Sequence, residues 1–231
     1  METREWYSEY YERKGAERNS LLKNPGVLFQ TLAHDISIIN AIRSIDVDFT
    51  GCQVLDIGCG NGDGLVNYLR LGLKPMNLFG IDILEERIRE AEEKYPNAHW
   101  ICGDARNMDF LDEEFDLVFE STMFVQIVDH DLSREIAEEM IRVVRMGGYI
   151  ILTDWRYSYP MRSEYNGLSQ KRIIQLFRVG TTTEVCSISN GALVPPVGRF
   201  LSARCPQIYF VICRVFPFLV GQQTTALRRV S

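Results

Sequence analysis

The segment that most constrains the fold of this chain is a glycine-rich stretch at residues 53–64, Gln-Val-Leu-Asp-Ile-Gly-Cys-Gly-Asn-Gly-Asp-Gly. Its first half is apolar and partly β-branched, which predicts a short buried strand over residues 54–57. Gly58, Gly60 and Gly62 then allow a sharp turn and a close approach of the backbone to a ligand. An apolar helical pattern follows. A strand, a glycine turn and a helix in this order predict a cradle for a nucleotide-like ligand.

The glycine spacing and two acidic residues indicate which ligand this turn holds. The dinucleotide fingerprint requires a third glycine at position 63, where this sequence has Asp63. Asp56 lies just before the turn, where a carboxylate would repel a pyrophosphate and attract a cationic amino group. Asp82 ends a second apolar strand about twenty residues after Gly62, the distance at which an acid typically binds ribose hydroxyls. The pattern therefore disfavours NAD and a nicotinamide dehydrogenase.

Further segments follow the glycine-rich stretch at the spacing of strands. The five segments together are Asp56-Ile-Gly-Cys-Gly-Asn-Gly62, Gly80-Ile-Asp82, Gly103-Asp-Ala105, Phe115-Asp-Leu-Val-Phe-Glu120 and Gly147-Gly-Tyr-Ile-Ile-Leu152. In this order, over residues 53–154, they resemble the motifs of the class I S-adenosylmethionine-dependent methyltransferases. The resemblance implies an α/β, Rossmann-like three-layer sandwich with a seven-stranded, mostly parallel sheet whose last strand is antiparallel. It also implies S-adenosylmethionine as cofactor and S-adenosylhomocysteine as product.

The same resemblance implies a cofactor site at the carboxyl ends of the first four strands. Its residues would be Asp56, Gly58, Cys59, Gly60, Asp82, Ile83, Asp104, Ala105 and Glu120. Asp56 would hold the methionine amino group and Asp82 the ribose hydroxyls, while Ile83 would pack on adenine. Asp104 and Ala105 would meet the adenine edge, and Glu120 would lie near the methionine moiety. Arg18 either pairs with the carboxylate of the cofactor or is a solvated surface arginine.

Methyl transfer is a direct in-line displacement that needs alignment of donor and acceptor, and it requires neither a protein nucleophile nor a metal. An alcohol acceptor must lose a proton, so a general base is useful. Asp154, at the end of the fifth strand, is the first candidate. His130 is the second, although its acidic neighbours also fit a helix cap. Arg156 either binds an acidic acceptor or pairs with a nearby acid.

One position departs from the pattern of the family. In many relatives a histidine stands where this chain has Gln126, in the loop after the fourth strand. The departure excludes a histidine base at that position.

The whole chain has the size and composition of one α/β domain, with 231 residues, 46% of them hydrophobic and 24% charged. We expect N-terminal helices over residues 1–48, a cofactor core over 49–155 and a substrate-side segment over 156–231. A net charge of −6 gives no basic face for nucleic acid. Six cysteines without a CxxC pair and a charged start without a secretory signal favour a cytoplasmic protein.

The two flanking regions carry weaker patterns. Aromatic residues at positions 6, 7, 10 and 11 either pack on the main domain or close over the cofactor. Helical spacing predicts a helix over residues 27–45, and others over 63–71, 84–95, 133–145 and 169–177, with the glycines after Met146 as the stop of the fourth. Strands are expected near 184–189 and 222–229. A helical insertion at 196–219 would lie between these strands as a substrate cap.

Residues 207–220 are the most apolar run of the chain. Spanning a bilayer takes roughly 20 apolar residues, and Arg214 and Pro217 interrupt this run, so we do not expect a transmembrane helix. Three alternatives remain: burial against the sheet, a dimer face, or an apolar lip for a lipid-linked acceptor.

Segments at 154–160, 167–172 and 191–196 resemble a methyltransferase subgroup of glycan and natural-product biosynthesis. The first functional hypothesis is therefore O-methylation of a sugar hydroxyl in a small molecule or glycan, as in polysaccharide biosynthesis. The alternatives are N- or C-methylation of another metabolite or lipid precursor, and a non-catalytic cofactor-binding partner subunit. The chain is expected to be a monomer or a homodimer that uses no metal and binds no nucleic acid.

Overall fold

The computed structural model describes residues 19–158 and 164–231. Its strands are β1 (Val54–Ile57), β2 (Leu78–Asp82), β3 (His99–Cys102), β4 (Phe115–Ser121), β5 (Val144–Trp155), β6 (Thr183–Asn190) and β7 (Gln222–Arg229). Its α-helices are α1 (Pro25–Arg43), α2 (Leu65–Arg70), α3 (Glu85–Lys94), α4 (His130–Val143), α5 (Gln170–Leu176), α6 (Pro195–Arg204) and α7 (Tyr209–Val215). Residues 1–18, with the four aromatic residues and Arg18, lie outside the described residues.

The strands form one sheet in the order β3-β2-β1-β4-β5-β7-β6. The first five strands are parallel, whereas β7 runs antiparallel to both β5 and β6. The predicted Rossmann-like sheet with an antiparallel last strand is thus confirmed. Because β1 is central and parallel, its carboxyl end and those of β2 and β4 meet at one edge, where ligands of such sheets bind.

Apolar layers cover both faces of the sheet, which explains the continuous apolar runs of the central strands. Leu55 and Val118 point to one face, under α4 and α5. Val54 and Phe119 point to the other, under α1 and α2. Asp56 lies between the buried Leu55 and Ile57 on a strand that is buried throughout.

The end of α4 differs from the prediction. The helix begins at His130, because the Asp129 side chain accepts hydrogen bonds from the N–H groups of Asp131 and Leu132. It ends at Val143, and β5 begins at once, since Val144 pairs with Phe115. The predicted helix stop after Met146 was wrong. Those glycines belong to an irregular part of β5, where Gly147 has a φ of 74°.

The predicted helical insertion between β6 and β7 is present, but it is broken into short pieces. We call residues 195–219 the cap; it consists of α6, the 3-10 turn Pro206–Ile208, α7 and the 3-10 turn Pro217–Leu219. Each proline removes a backbone donor and starts a new piece. Ser202 Oγ donates to the Pro25 carbonyl over 2.6 Å and accepts from Phe29 N–H, so the cap is attached to the start of α1.

Candidate functional site

The glycine turn after β1 has the conformation that its sequence requires. Gly58, Gly60 and Gly62 have φ values of 69°, 56° and 76°, in the left-handed region that favours glycine. The N–H groups of Gly58 and Cys59 donate to the Ile81 carbonyl over 2.8 and 3.1 Å. A Cβ at Gly60 would lie 2.9 Å from the Arg87 guanidinium. Only glycine fits this turn without displacing its neighbours.

Asp82 connects the end of β2 to the glycine turn. Its Oδ2 accepts a hydrogen bond from Gly60 N–H and its Oδ1 one from Leu84 N–H, each over 2.9 Å. A carboxylate that accepts from two backbone N–H groups has a fixed orientation, and the remaining lone pairs are available to ligand hydroxyls. The predicted ribose-binding acid therefore lies directly beside the glycine turn.

A cavity of about 150 Å³ opens at this edge of the sheet. Five predicted cofactor residues line it: Gly58, Asp82, Ile83, Asp104 and Ala105. Asp56, Cys59, Gly60 and Glu120 are not in its lining and form the layer behind it. The Cys59 thiol is buried, which raises its pKa well above the ordinary value.

Asp56 is buried beneath the turn, with 5% of its surface exposed. Burial, and then the neighbouring Asp82, raises the pKa of its carboxyl to about 7. No hydrogen bond reaches this carboxyl from the described side chains, a set that leaves out residues 1–18, 65–67 and 159–163. Because buried polar groups are nearly always hydrogen-bonded, this carboxyl is suited to a cationic ligand group.

Asp104 is held by a neighbour from its own loop. Arg106 donates to both carboxylate oxygens, with Nη2 2.6 Å from Oδ2, and this contact lowers the pKa of Asp104. The loop after β3 is therefore rigid next to Ala105 at the cavity wall.

The loop after β4, residues 121–130, was expected from the sequence to face the methyl donor, and it contributes Thr122 and Gln126 to the cavity lining, two residues for which no individual role was predicted. Thr122 is β-branched yet has a φ of 59°, a strained conformation that functional sites often hold. Gln126 Nε2 donates to the Thr122 carbonyl over 2.8 Å, while its Oε1 is buried with no partner in the described chain. Two sequence signals indicated this loop: its place after the carboxyl end of a strand, where ligands of such sheets bind, and the departure from histidine at position 126.

Two acids are buried behind this loop. Glu120 is fully buried, and its Oε2 accepts from Met123 N–H over 3.2 Å. Asp154 is 2% exposed; its Oδ2 accepts from Val125 N–H over 2.8 Å and its Oδ1 from Trp155 N–H over 2.6 Å. Burial raises the pKa of Glu120 well above its ordinary value, and Asp154 adds to the shift. Burial also raises the pKa of Asp154, to about 7.

Arg172, on α5, is the buried cation beside these acids, and sequence reasoning missed it. Its guanidinium donates to the carbonyls of Phe124, Ile127 and Asn166 and to the Ser133 hydroxyl, over 2.6 to 3.1 Å. These bonds fix the backbone of the loop after β4 from its inner side. Nothing in the local sequence distinguishes this arginine from a surface one.

The structure does not bring the three catalytic candidates together at the cavity. Both oxygens of Asp154 are engaged by backbone N–H groups, and His130 is exposed in the first turn of α4. Arg156 Nη2 donates to the Pro217 carbonyl over 2.7 Å, and its guanidinium lies 4.6 Å from the centre of the Tyr157 ring. Arg156 thus attaches the end of the cap to the end of β5.

The described parts of the chain contain no helix with the length and apolarity needed to cross a bilayer. They also contain no group of three or more histidine, cysteine, aspartate or glutamate side chains placed to hold a metal ion.

Residues 54–148 match the protein family described as "Methyltransferase domain". A phthiotriol/phenolphthiotriol dimycocerosates methyltransferase from Mycobacterium ulcerans is 36% identical over 141 residues, 60% of this chain and 51% of that protein. A fatty-acid O-methyltransferase from Mycolicibacterium smegmatis is 34% identical over 118 residues, 49% of this chain and 41% of that protein. The chain thus spans about half the length of these curated relatives.

Among solved structures, the N-methyltransferase NodS from Bradyrhizobium japonicum WM9, in complex with S-adenosyl-L-homocysteine, has a TM-score of 0.66 to this chain. The match covers 98% of each chain at 16% sequence identity. At this identity the likeness concerns the fold, and it is the fold that the five sequence motifs implied.

Proposed function

We propose that this chain, which belongs to the class I S-adenosylmethionine-dependent methyltransferases, transfers a methyl group to an oxygen of an apolar, lipid-like acceptor. The methyltransferase activity is supported above all by the hydrogen bond from Gly60 N–H to Asp82. This bond places the acid beside the glycine turn, at a cavity lined by Ile83 and Ala105. The lipid-like acceptor is supported by the names of the two relatives described above, which are named for lipid substrates.

Residues that line the cavity, together with Asp56, which lies outside its lining, fit the parts of S-adenosylmethionine. Asp82 keeps free lone pairs for the two ribose hydroxyls. Ile83 and Ala105 offer an apolar surface for adenine. Asp56 has a carboxyl without a described partner, and the ammonium group of the methionine moiety would supply the missing positive charge. A Cβ at Gly58, Gly60 or Gly62 would crowd a packed side chain, those of Met123, Arg87 and Trp100 respectively, so the turn keeps its shape only with glycine.

When bound, S-adenosylmethionine supplies a methyl group that is already activated by the sulfonium. The protein has to orient the acceptor oxygen in line with that methyl carbon and to exclude water. The loop after β4 does this in our proposal, because Thr122, Met123 and Gln126 line the cavity. Asp154 and Arg172 then act as positioning residues, since they hold the backbone of that loop through buried hydrogen bonds.

The described lining of the cavity supplies no uncommitted base for an acceptor that must lose a proton. The titratable groups among its described lining are Asp82, Asp104 and Arg106; backbone N–H groups hold the first, and the other two are paired with each other. A carboxylic acid, with a pKa near 4, is ionised at neutral pH and needs no base. Long-chain carboxylates are therefore the first acceptors to test, and lipid hydroxyls the second. The sugar hydroxyl of the first hypothesis comes third.

Calorimetric titration with S-adenosylmethionine, S-adenosylhomocysteine and NAD tests the cofactor. We expect micromolar binding of the first two and none of NAD. Asp82→Ala should weaken that binding by about a hundredfold, because two charge-assisted hydrogen bonds and the ribose contacts are lost. Asp109→Ala, at an exposed position away from the cavity, is the matched control and should bind as the wild type does.

Incubation with isotopically labelled S-adenosylmethionine and separate acceptors tests the transfer. Mass spectrometry should detect a methyl ester with a long-chain acid, or a methyl ether with a lipid alcohol. Methylation of nucleotide sugars alone would reject the lipid-like acceptor and restore the sugar hypothesis. Tight cofactor binding without transfer to any acceptor would favour a non-catalytic partner subunit.

A further inference from the structure

The cap exposes several large apolar side chains to solvent. Ile208, Val211 and Val215 follow one another at helical spacing at the start of α7 and along it, and Phe218 follows in the 3-10 turn Pro217–Leu219. They are 44%, 55%, 59% and 64% exposed, respectively. Phe200 on α6 is 63% exposed. We call these five residues the apolar stripe.

The apolar stripe is not needed to hold the cap together. The cap has its own core, in which Tyr209 is fully buried and Leu201 is 8% exposed. The Tyr209 hydroxyl accepts from Leu193 N–H over 3.1 Å and donates to Gln30 on α1 over 3.2 Å. A packed cap with this much apolar surface left outside has an interaction surface.

The charge around the apolar stripe identifies the partner. The cap, residues 195–219, contains three arginines and no aspartate or glutamate, in a chain whose net charge is −6. Arg204 and Arg214 end α6 and α7 on the exposed surface, and neither forms an ion pair within the part of the chain that the structure describes. Apolar side chains flanked by unpaired arginines match the combination of acyl chains and anionic headgroups at a lipid surface.

A second copy of the chain fits this surface less well. In a twofold pairing through the apolar stripe, the arginines of one cap would face those of the other, with no acid on either cap to offset them. Nucleic acid would meet the arginines, but it would leave valine and isoleucine side chains without a matching apolar partner.

We propose that the cap docks on the surface of an anionic lipid bilayer, with the apolar stripe inserted between headgroups and the cap arginines paired with them. The docking deepens the proposed function and rests on its lipid-like acceptor. The Tyr157 hydroxyl donates to the Phe218 carbonyl over 3.0 Å, and Arg156 holds Pro217. A docked apolar stripe would therefore lie next to the end of β5, and an acceptor could leave the bilayer at the methyl-transfer site.

Co-sedimentation of the full chain with vesicles tests this proposal. One set of vesicles contains phosphatidylcholine alone, and the other contains added phosphatidylglycerol. We expect the chain to sediment with the anionic vesicles, and to do so less as salt rises, because headgroup attraction is screened. Val211→Ser with Phe218→Ser should lower the partition coefficient about tenfold or more, because two inserted side chains are lost. Arg204→Gln with Arg214→Gln should lower it on anionic vesicles only.

Met76→Ser with Leu111→Ser is the matched control. These two residues are 64% and 77% exposed and lie outside the cap, so the double variant should bind vesicles as the wild type does. Circular dichroism and thermal melting verify that each variant is folded.

Three outcomes would overturn the docking proposal. The first is a wild-type chain that stays in the supernatant with anionic vesicles, and the second is binding that the cap variants leave unchanged. The third is an oligomer, seen by sedimentation, that the stripe variants dissociate without any lipid binding, which would assign the surface to a second copy. Cofactor binding and methylation of a short, water-soluble acid are measured on the same variants. If the chain binds vesicles but neither binds the cofactor nor methylates the acid, the proposed function is rejected and the docking proposal stands.

Discussion

Around the glycine turn, backbone N–H groups and carboxylates meet over a few ångströms, whereas the cap presents phenylalanine and valine side chains and arginines over a broad surface. Residues 54–148, which contain the turn, match the methyltransferase family; the cap lies outside that match. A small, polar, constant ligand needs backbone geometry that few sequences provide. An apolar acceptor or a lipid surface needs only area and charge, which many sequences provide. The glycine turn and the cap thus differ in how strongly the ligand of each restricts its amino-acid sequence.

Arg172 holds the loop after β4, which lines the cavity beside the glycine turn, and its removal should have the largest effect. Arg172→Met leaves three carbonyls and a buried hydroxyl without their donor, and Asp154 without its cation. We expect the free energy of unfolding to fall by about 3–5 kcal/mol, measured by urea denaturation. The control is Arg178→Met, which removes an exposed ion pair with Glu138 and should cost less than about 1 kcal/mol.

A loss below about 1 kcal/mol for Arg172→Met would mean that the loop after β4 does not depend on this arginine.

The pH dependence of cofactor binding tests the role of Asp56 next to the glycine turn. The pKa of Asp56 is about 7, and an ammonium group binds only its ionised form. Affinity for S-adenosylmethionine should therefore be about tenfold weaker at pH 6 than at pH 8, with proton release at the lower pH. In Asp56→Asn the affinity should be low and flat over this range. Calorimetry in two buffers with different ionisation enthalpies measures both quantities.

Ionisation of Asp56 favours cofactor binding but lowers the stability of the unliganded chain. Since the folded-state pKa of Asp56 lies above its unfolded value, this carboxyl lowers the stability of the unliganded chain as the pH rises from about 4 to about 7. A pH slope of affinity that persists in Asp56→Asn would transfer the ammonium contact to another group.

The smallest predicted effect concerns the attachment of the cap to the end of β5. Arg156→Met removes the hydrogen bond to the Pro217 carbonyl. Amide hydrogen exchange in residues 209–219 should accelerate by about tenfold, because one charge-assisted bond contributes roughly 1.5–3 kcal/mol, part of which water replaces. Exchange in residues 54–82 should not change. Equal acceleration in both regions would show that the cap and the cofactor core open as one unit.

Local sequence patterns predicted which helices and strands are present better than they predicted where α4 ends. The strands β1, β2 and β4 were predictable because buried parallel strands are apolar along most of their length, and the cap because prolines and glycines mark its ends. The end of α4 was not. Glycine after an amphipathic helix usually marks its stop, but here the pairing of Val144 with Phe115 starts a strand first, and Gly147 forms part of its irregularity. Strand pairing depends on a partner segment that the local pattern does not contain.

The sequence by itself determined the glycine turn, the acid at the end of β2 and the strand that precedes each of them, because these depend on residues close together in the chain and on backbone conformations that only glycine adopts easily. Only the tertiary structure decided the roles of Asp154, Arg156 and Arg172. Each of these side chains bonds to backbone groups of segments remote in sequence, and whether a charged side chain is buried, and against what, is settled by packing. The sequence located the apolar run of the cap; the structure separated its buried face from its exposed one.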